Sequence, residues 1–241
     1  TESVTQQQSL TLNDNDAAPL VNFTVLSQST SEDALTLTAV VSLSTTSGLL
    51  VSVPFSVNGL STATGGGTDY TLSSSPVVIA AGQSTAQVSI TVVEDTLVEA
   101  DETVILDLGI PTNATLGTTI QHTVTILNDD NYPVVDFTLS SQSASESAGV
   151  MIAVLSLSST YPQSVSIPFT VSGSASNPAD YSISSSPVTI AAGQSTVGIV
   201  ISIVNDAIYE GDETVIVTLG SPTNATAGAT VLHTATIIDT E

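Results

Sequence analysis

Not one Lys or Arg occurs in 241 residues, against 23 Asp and Glu, and the formal net charge is −23. Ordinary chains are about a quarter charged with both signs present, so the one-sided charge is a property of this protein. Without cationic side chains there is no counterion-release term, which excludes nucleic acid as a partner. An anionic lipid surface would repel the chain. Cysteine is absent too, which removes disulfides and thiolate metal sites. The missing lysines rule out Lys–Asn isopeptide cross-links. Tryptophan is absent and aromatics make up only 4%. No apolar run approaches the length of a membrane-spanning helix, so no direct membrane insertion is expected. No secretory leader is recognisable ahead of Thr1, and the sequence reads as a mature segment of something longer.

What is present is a repeat. The stretch DYTLSSSPVVIAAGQST (69–85) returns as DYSISSSPVTIAAGQST (180–196), displaced by 111 residues. The same displacement carries Glu99 onto Glu210, PTNAT (111–115) onto PTNAT (222–226) and His122 onto His233. Upstream the displacement is 114, bringing Glu32 onto Glu146 and VPF (53–55) onto IPF (167–169). The difference lies in the longer loop 58–70 of the first copy. The chain thus divides into 17–130 and 131–241. QSLTLNDND (8–16) echoes HTVTILNDD (122–130). Residues 1–16 are therefore expected to be the last strand of a preceding unit, or a strand donated to a neighbour.

Each copy alternates apolar and polar residues with period two, in β-branched stretches separated by turn chemistry. For the first copy the expected strands are 20–27, 35–44, 50–57, 76–80, 86–93, 103–110 and 119–127. About seven strands in some 110 residues point to an all-β protein of two tandem immunoglobulin-like antiparallel β-sandwiches. Successive connections of a sandwich alternate between its two poles. That alternation collects Glu32, Asp69, the five carboxylates of EDTLVEADE (94–102), Asp129 and Asp130 at one pole. The second copy places Glu146, Asp180, the acids of NDAIYEGDE (205–213), Asp239 and Glu241 there. Asp14 and Asp16 hold the same place after the preceding strand, and only Glu2, Asp33, Asp107 and Asp136 are read as lying elsewhere.

Solvated acidic loops are the plain alternative, but they do not explain one acidic pole and one neutral pole. Two carboxylates 4 Å apart repel by about 1 kcal/mol in water and about 4 kcal/mol at an effective dielectric of 20. A bound cation removes that cost. Oxygen-only donors select a hard cation, and many carboxylates on loops suit Ca²⁺, with its six to eight oxygens, better than octahedral Mg²⁺. The spacing is not that of an EF-hand. A glycosidase-type carboxylate pair could reside in such a cluster, but duplication of the whole cluster favours ligation, so the chain is not expected to be an enzyme.

The combination GTDY, AAGQST, VSITVVEDTLVEADETVILDLG and HTVTILNDD resembles the Calx-beta domain, as does the second copy, over nearly all of 17–241. The resemblance implies β-sandwiches that bind clustered Ca²⁺ ions at their distal loops, a module of sodium–calcium exchangers and of bacterial surface proteins. Carried over position by position, it implies ligands at Glu32, Asp69, Glu94, Asp95, Glu99, Glu102, Asp129 and Asp130. In the second copy it implies Glu146, Asp180, Asp206, Glu210, Glu213, Asp239 and Glu241. Asn205 stands where the first copy has Glu94, and Thr240 where it has Asp129, so several ions are expected, more in the first repeat than in the second.

The remaining motifs are weaker. His122 and His233 have no neighbouring histidine and are expected to be structural or exposed. GQSTA (82–86) lacks the last glycine of a nucleophile elbow. NFT (22–24) and both NAT triplets match glycosylation acceptors, with turn chemistry as the simpler account of PTNAT. The function expected is a calcium-binding structural or adhesive module on a cell surface or outside the cell, its ions stiffening the junctions between repeats into a rod. The alternative is an extracellular filament subunit that adds residues 1–16 to a neighbour as a strand. A Ca²⁺ sensor is the third possibility. The expected partners are calcium, neighbouring repeats or identical subunits, and a cell-surface or matrix ligand.

Overall fold

The computed structural model describes residues 8–10 and 16–240. The rest of the 1–16 segment and Glu241 lie outside the described residues, and so do the strand-donation reading and the ligand expected at Glu241. Contacts divide the chain into two compact units. One runs to Glu94 and resumes over Ala100–Asp129; the other comprises Asp95–Glu99 and Asp130–Glu241.

The first unit contains β1 (Leu20–Phe23), β2 (Ser27–Ser31), β3 (Thr36–Leu43), β4 (Val51–Val53), β5 (Phe55–Val57), β6 (Tyr70–Leu72), β7 (Val77–Ile79), β8 (Thr85–Val92), β9 (Glu102–Leu108), β10 (Thr115–Leu116) and β11 (Gln121–Leu127). Two sheets face one another, ordered β10-β1-β3-β8-β6 and β2-β11-β9-β5, with β4 and β7 forming a short ribbon. The alternation seen in sequence becomes burial: along β9, Val104, Leu106 and Leu108 point inward, and along β8, Val88, Ile90 and Val92 do. Stripes of this kind on both inner faces make the core of a sandwich.

Four details depart from the seven expected strands, one being β10, which lies in the turn expected over 111–117 and pairs parallel with β1. The strand expected over 20–27 is two strands, because the chain changes sheets: β1 pairs antiparallel with β3, whereas β2 pairs parallel with β11. The strand expected over 50–57 is cut at Pro54, which has no N–H for a ladder bond; β4 pairs with β7 and β5 with β9. Residues 70–72, read as loop, pair with β8.

The second unit repeats the plan with β12 (Val134–Phe137), β13 (Ser141–Ser145), β14 (Val150–Leu157), β15 (Val165–Ile167), β16 (Phe169–Gly173), β17 (Tyr181–Ile183), β18 (Val188–Ile190), β19 (Thr196–Ile203), β20 (Glu213–Leu219), β21 (Thr226–Ala227) and β22 (Leu232–Ile238). It adds a 3-10 turn, Glu146–Ala148, ended by Gly149 in the left-handed region. Among the described residues no helix is long and apolar enough to cross a membrane.

Both histidines are core residues. His122 is fully buried beside Phe23, its Nδ1 2.9 Å from the Val25 carbonyl oxygen. His233 repeats this beside Phe137, with Nδ1 2.7 Å from the Leu139 carbonyl. Each bonds the bend where the chain passes from one sheet to the other, which gives the duplicated histidine a structural role.

Candidate metal centre

Strand register sets the acidic pole. Ser31 lies beside Leu127, Glu102 beside Ile126, Thr36 opposite Thr91 and Tyr70 opposite Val92. The connections carrying Glu32, Asp69 and 94–101, and the exit of β11, therefore open at one end of the sandwich. The second unit has Ser145 beside Ile238, Glu213 beside Ile237 and Tyr181 opposite Ile203. Asp33 belongs to this pole as well, since its carboxylate accepts a hydrogen bond from the Ser31 hydroxyl in the same turn.

In the second unit three carboxylates converge. Asp180, Glu210 and Glu213 each offer an oxygen, and these oxygens lie within 4.8 Å of one another. Asp180 is held most firmly. Its carbonyl accepts the Val204 N–H at 2.8 Å, its own N–H bonds the Ser176 carbonyl at 2.8 Å, and its Oδ2 accepts the Ser176 N–H at 2.5 Å. Asp180 is buried, Glu210 exposed and Glu213 between the two. Asp69, Glu99 and Glu102 meet the same distance criterion, and the Asp69 carboxylate accepts the Thr64 N–H as Asp180 accepts that of Ser176.

The electrostatics follow. Removal from water pushes the Glu213 carboxyl up to about 7, helped by its hydrogen bond to Asp180 and by the charges of Asp180, Glu210 and Glu146. Glu210 is pushed up by the same desolvation, then by Asp180, Asp206 and Asp239. Burial raises the Tyr181 phenol, and the neighbouring Asp180 raises it further. A proton at Glu213 thus relieves repulsion that a cation could relieve instead. The donor set, all oxygen and all anionic, fits a hard cation.

Glu146, Asp206 and Asp239, also expected as ligands of the second unit, stand around this trio. Glu146 is buried in its 3-10 turn. Asp206 spends Oδ1 on the Ile208 N–H at 2.8 Å, and Asp95 does the same for Leu97 at 2.6 Å. Asp239 Oδ2 accepts the N–H groups of Glu210 and Gly211 at 2.7 and 2.6 Å, clamping the loop that carries Glu210. Glu32, Glu94, Asp129 and Asp130 lie in the pole connections of the first copy but outside its convergent trio.

Two acids read as lying elsewhere are structural. Asp107 accepts from Asn58 Nδ2 at 2.6 Å and Gln121 Nε2 at 2.8 Å. Asp136 Oδ1 accepts the Thr230 N–H at 2.6 Å, the place Asn22 fills in the first unit by accepting from Thr118 and Thr119. The triplets at Asn113 and Asn224 are turn chemistry. Both residues have positive φ, and their Nδ2 atoms donate to the carbonyls of Leu50 and Ser164 at 2.8 and 3.0 Å.

Solved structures similar to the chain over both units include CBD12 from CALX1.2, at 20% identity, covering 90% of this chain and 99% of that one, with a TM-score of 0.43. The calcium binding domain CBD12 of CALX1.1 matches at 18% identity, 89% and 98% coverage and a TM-score of 0.43. The apo-form Calx CBD1 domain matches at 16% identity, 46% and 100% coverage and a TM-score of 0.42. The expected setting of an extracellular, cell-surface, adhesive or filament protein is not retained, since the similar structures are CALX domains and none of them supports it. An acidic pole has the same chemistry on either side of a membrane. The model of the Calx-beta domain matches residues 14–130 and again 128–241. The chain belongs to the Calx-beta family, as a tandem pair of its domains.

Proposed function

We propose that the chain is a calcium-binding module in which each repeat, 17–130 and 131–241, holds Ca²⁺ at its acidic pole. Calx-beta domains are non-catalytic structural or regulatory modules, so the carboxylates act as ligands and not as acid and base. The observation that carries the reading is the convergence of Asp180, Glu210 and Glu213, with Glu213 holding its proton up to about 7. The ligand set proposed around them is Glu146, Asp206, Asp239 and Glu241. In the first repeat it is Glu32, Asp69, Glu94, Asp95, Glu99, Glu102, Asp129 and Asp130. The first repeat takes the larger number of ions, because it offers more carboxylates. An ion here would tie together connections that otherwise repel one another, stiffening the pole and the exit of the last strand toward a neighbouring repeat.

The test is thermal unfolding with Ca²⁺ and with a chelator. At a hundred times Kd, binding to the folded state adds about 2.7 kcal/mol, which raises Tm. The pair Asp180→Asn and Glu213→Gln is expected to remove the second repeat's share of that shift and its heat of Ca²⁺ binding in titration calorimetry. An unchanged Tm and no binding heat in the parent chain would rule the proposal out.

A further inference from the structure

The second compact unit includes Asp95–Glu99, five residues of the loop between β8 and β9. Leu97 and Val98 pack against that unit's core, and the Val98 N–H donates to the Tyr161 hydroxyl at 3.2 Å. Tyr161 is buried and meets the edge of Tyr132 at 5.7 Å. This is a socket floored by two tyrosines and filled by an aliphatic pair.

The repeat predicts one more of each part. The loop equivalent to 95–99 is 206–210, with the same turn, since Asp206 accepts from Ile208 as Asp95 accepts from Leu97. Its apolar pair, Ile208 and Tyr209, is 60% and 78% exposed. The position equivalent to Tyr161 is Ser47, because Gly82 and Gly193 donate to their respective carbonyls, each at 2.8 Å. Ala18 takes the place of Tyr132 at the 114-residue displacement. Where the second unit is filled, the first has among its described residues a cavity of about 1040 Å³, lined by Asp16, Ala18, Pro19, Ser47, Leu49 and Asn113 among others.

The sizes complement each other. The socket with two tyrosines takes Leu and Val; the socket with Ser and Ala at those positions is open among the described residues, and the exposed 206–210 loop brings Ile and a tyrosine of its own. We infer that the Ile208–Tyr209 loop is a docking element and that the Ala18–Ser47–Leu49 cavity of a second copy of this chain is its seat. The geometry of Leu97 and Val98 within the second unit is the pattern for the contact, and the aromatic ring moves from the socket to the loop. A buried aromatic anchor entering a pocket is the usual centre of such an interface.

Sedimentation velocity on the full chain tests this, in millimolar CaCl₂ so that the net charge of −23 does not hold copies apart. The parent chain is expected to self-associate as its concentration rises toward about 1 mM. Tyr209→Ser, at an exposed site that leaves the fold intact by circular dichroism, is expected to weaken association at least about tenfold. Ser47→Tyr, which fills the cavity from the other side, is expected to weaken it as much. Mixing the two variants restores a single contact, with Tyr209 supplied by one and the open cavity by the other, and is expected to give heterodimers and nothing larger. A parent chain that stays monomeric throughout, or association unchanged by either variant, overturns the inference.

Discussion

The two repeats run the same plan and differ where their backbones turn into the acidic pole. In the first, Leu35 enters β3 at a φ of 23°; in the second the equivalent residue is Gly149 at 76°. Both hold the same place in the ladder, as their carbonyls accept from Val92 and Ile203 at 3.2 and 3.0 Å. A left-handed conformation costs a branched side chain about 1–2 kcal/mol and a glycine almost nothing. The first repeat therefore carries strain beside Glu32 that the second does not carry beside Glu146. The loop carrying Asp180 shows the opposite bias. Gly173 has a φ of 131°, and a Cβ there would lie 2.1 Å from the Thr214 carbonyl oxygen, whereas Gly59, its counterpart, has nothing within 4 Å. One fold thus tolerates a given side chain on one copy and forbids it on the other. The difference is one of strand length, since β16 runs on through Gly173, paired with Val215, whereas β5 ends at Val57 and Gly59 lies in the longer loop.

Gly173→Ala gives the largest expected effect. Clash with a ladder carbonyl costs about 3 kcal/mol, while Gly59→Ala stays within about 0.5 kcal/mol; urea unfolding of the two variants reads the difference. Equal losses would show that the two loops are conformationally alike. A smaller effect comes from exchanging the turn residues. Leu35→Gly is expected to stabilise the chain by about 1 kcal/mol and Gly149→Leu to destabilise it by about 1–2 kcal/mol, both read as Tm shifts. The smallest is a pH dependence. Between the ordinary 4.5 and about 7 the folded chain holds the Glu213 proton that the unfolded chain has released. Without added Ca²⁺ this contribution is full below about 4.5 and is lost as pH rises through 7. Glu213→Gln should flatten that slope; a slope unaffected by it would move the repulsion elsewhere in the pole.

The acidic pole was legible in sequence because it depends on chain order alone. Strand alternation and turn residues at 80–83 and 111–117 place the connections, and the alternation of poles in a sandwich gathers Glu32, Asp69, Glu99 and Glu102 without coordinates. The particular trio was not legible. Asp95, Asp206 and Asp239 have the same charge as Asp180 and, like it, give an oxygen to loop N–H groups; what sets Asp180 apart is that the packed loops bring its carboxylate to those of Glu210 and Glu213. Which acids meet depends on loop conformation, and composition carries no trace of it. The split of the first strand was hidden for a related reason. Residues 20–31 keep one β-compatible pattern while the chain changes sheets, a step visible only as two different pairing partners.

The sequence by itself determined the duplication, the all-β plan and the one-sided charge. Those follow from period-two alternation, fixed repeat spacing and the absence of any basic residue, which no packing can alter. Tertiary structure alone decided that the histidines are core residues, that Asp107 and Asp136 are hydrogen-bond acceptors of the sandwich, and that Asp180, Glu210 and Glu213 are the acids that meet. Convergence of side chains from distant segments depends on register and burial, and both are set only when the sheets pack.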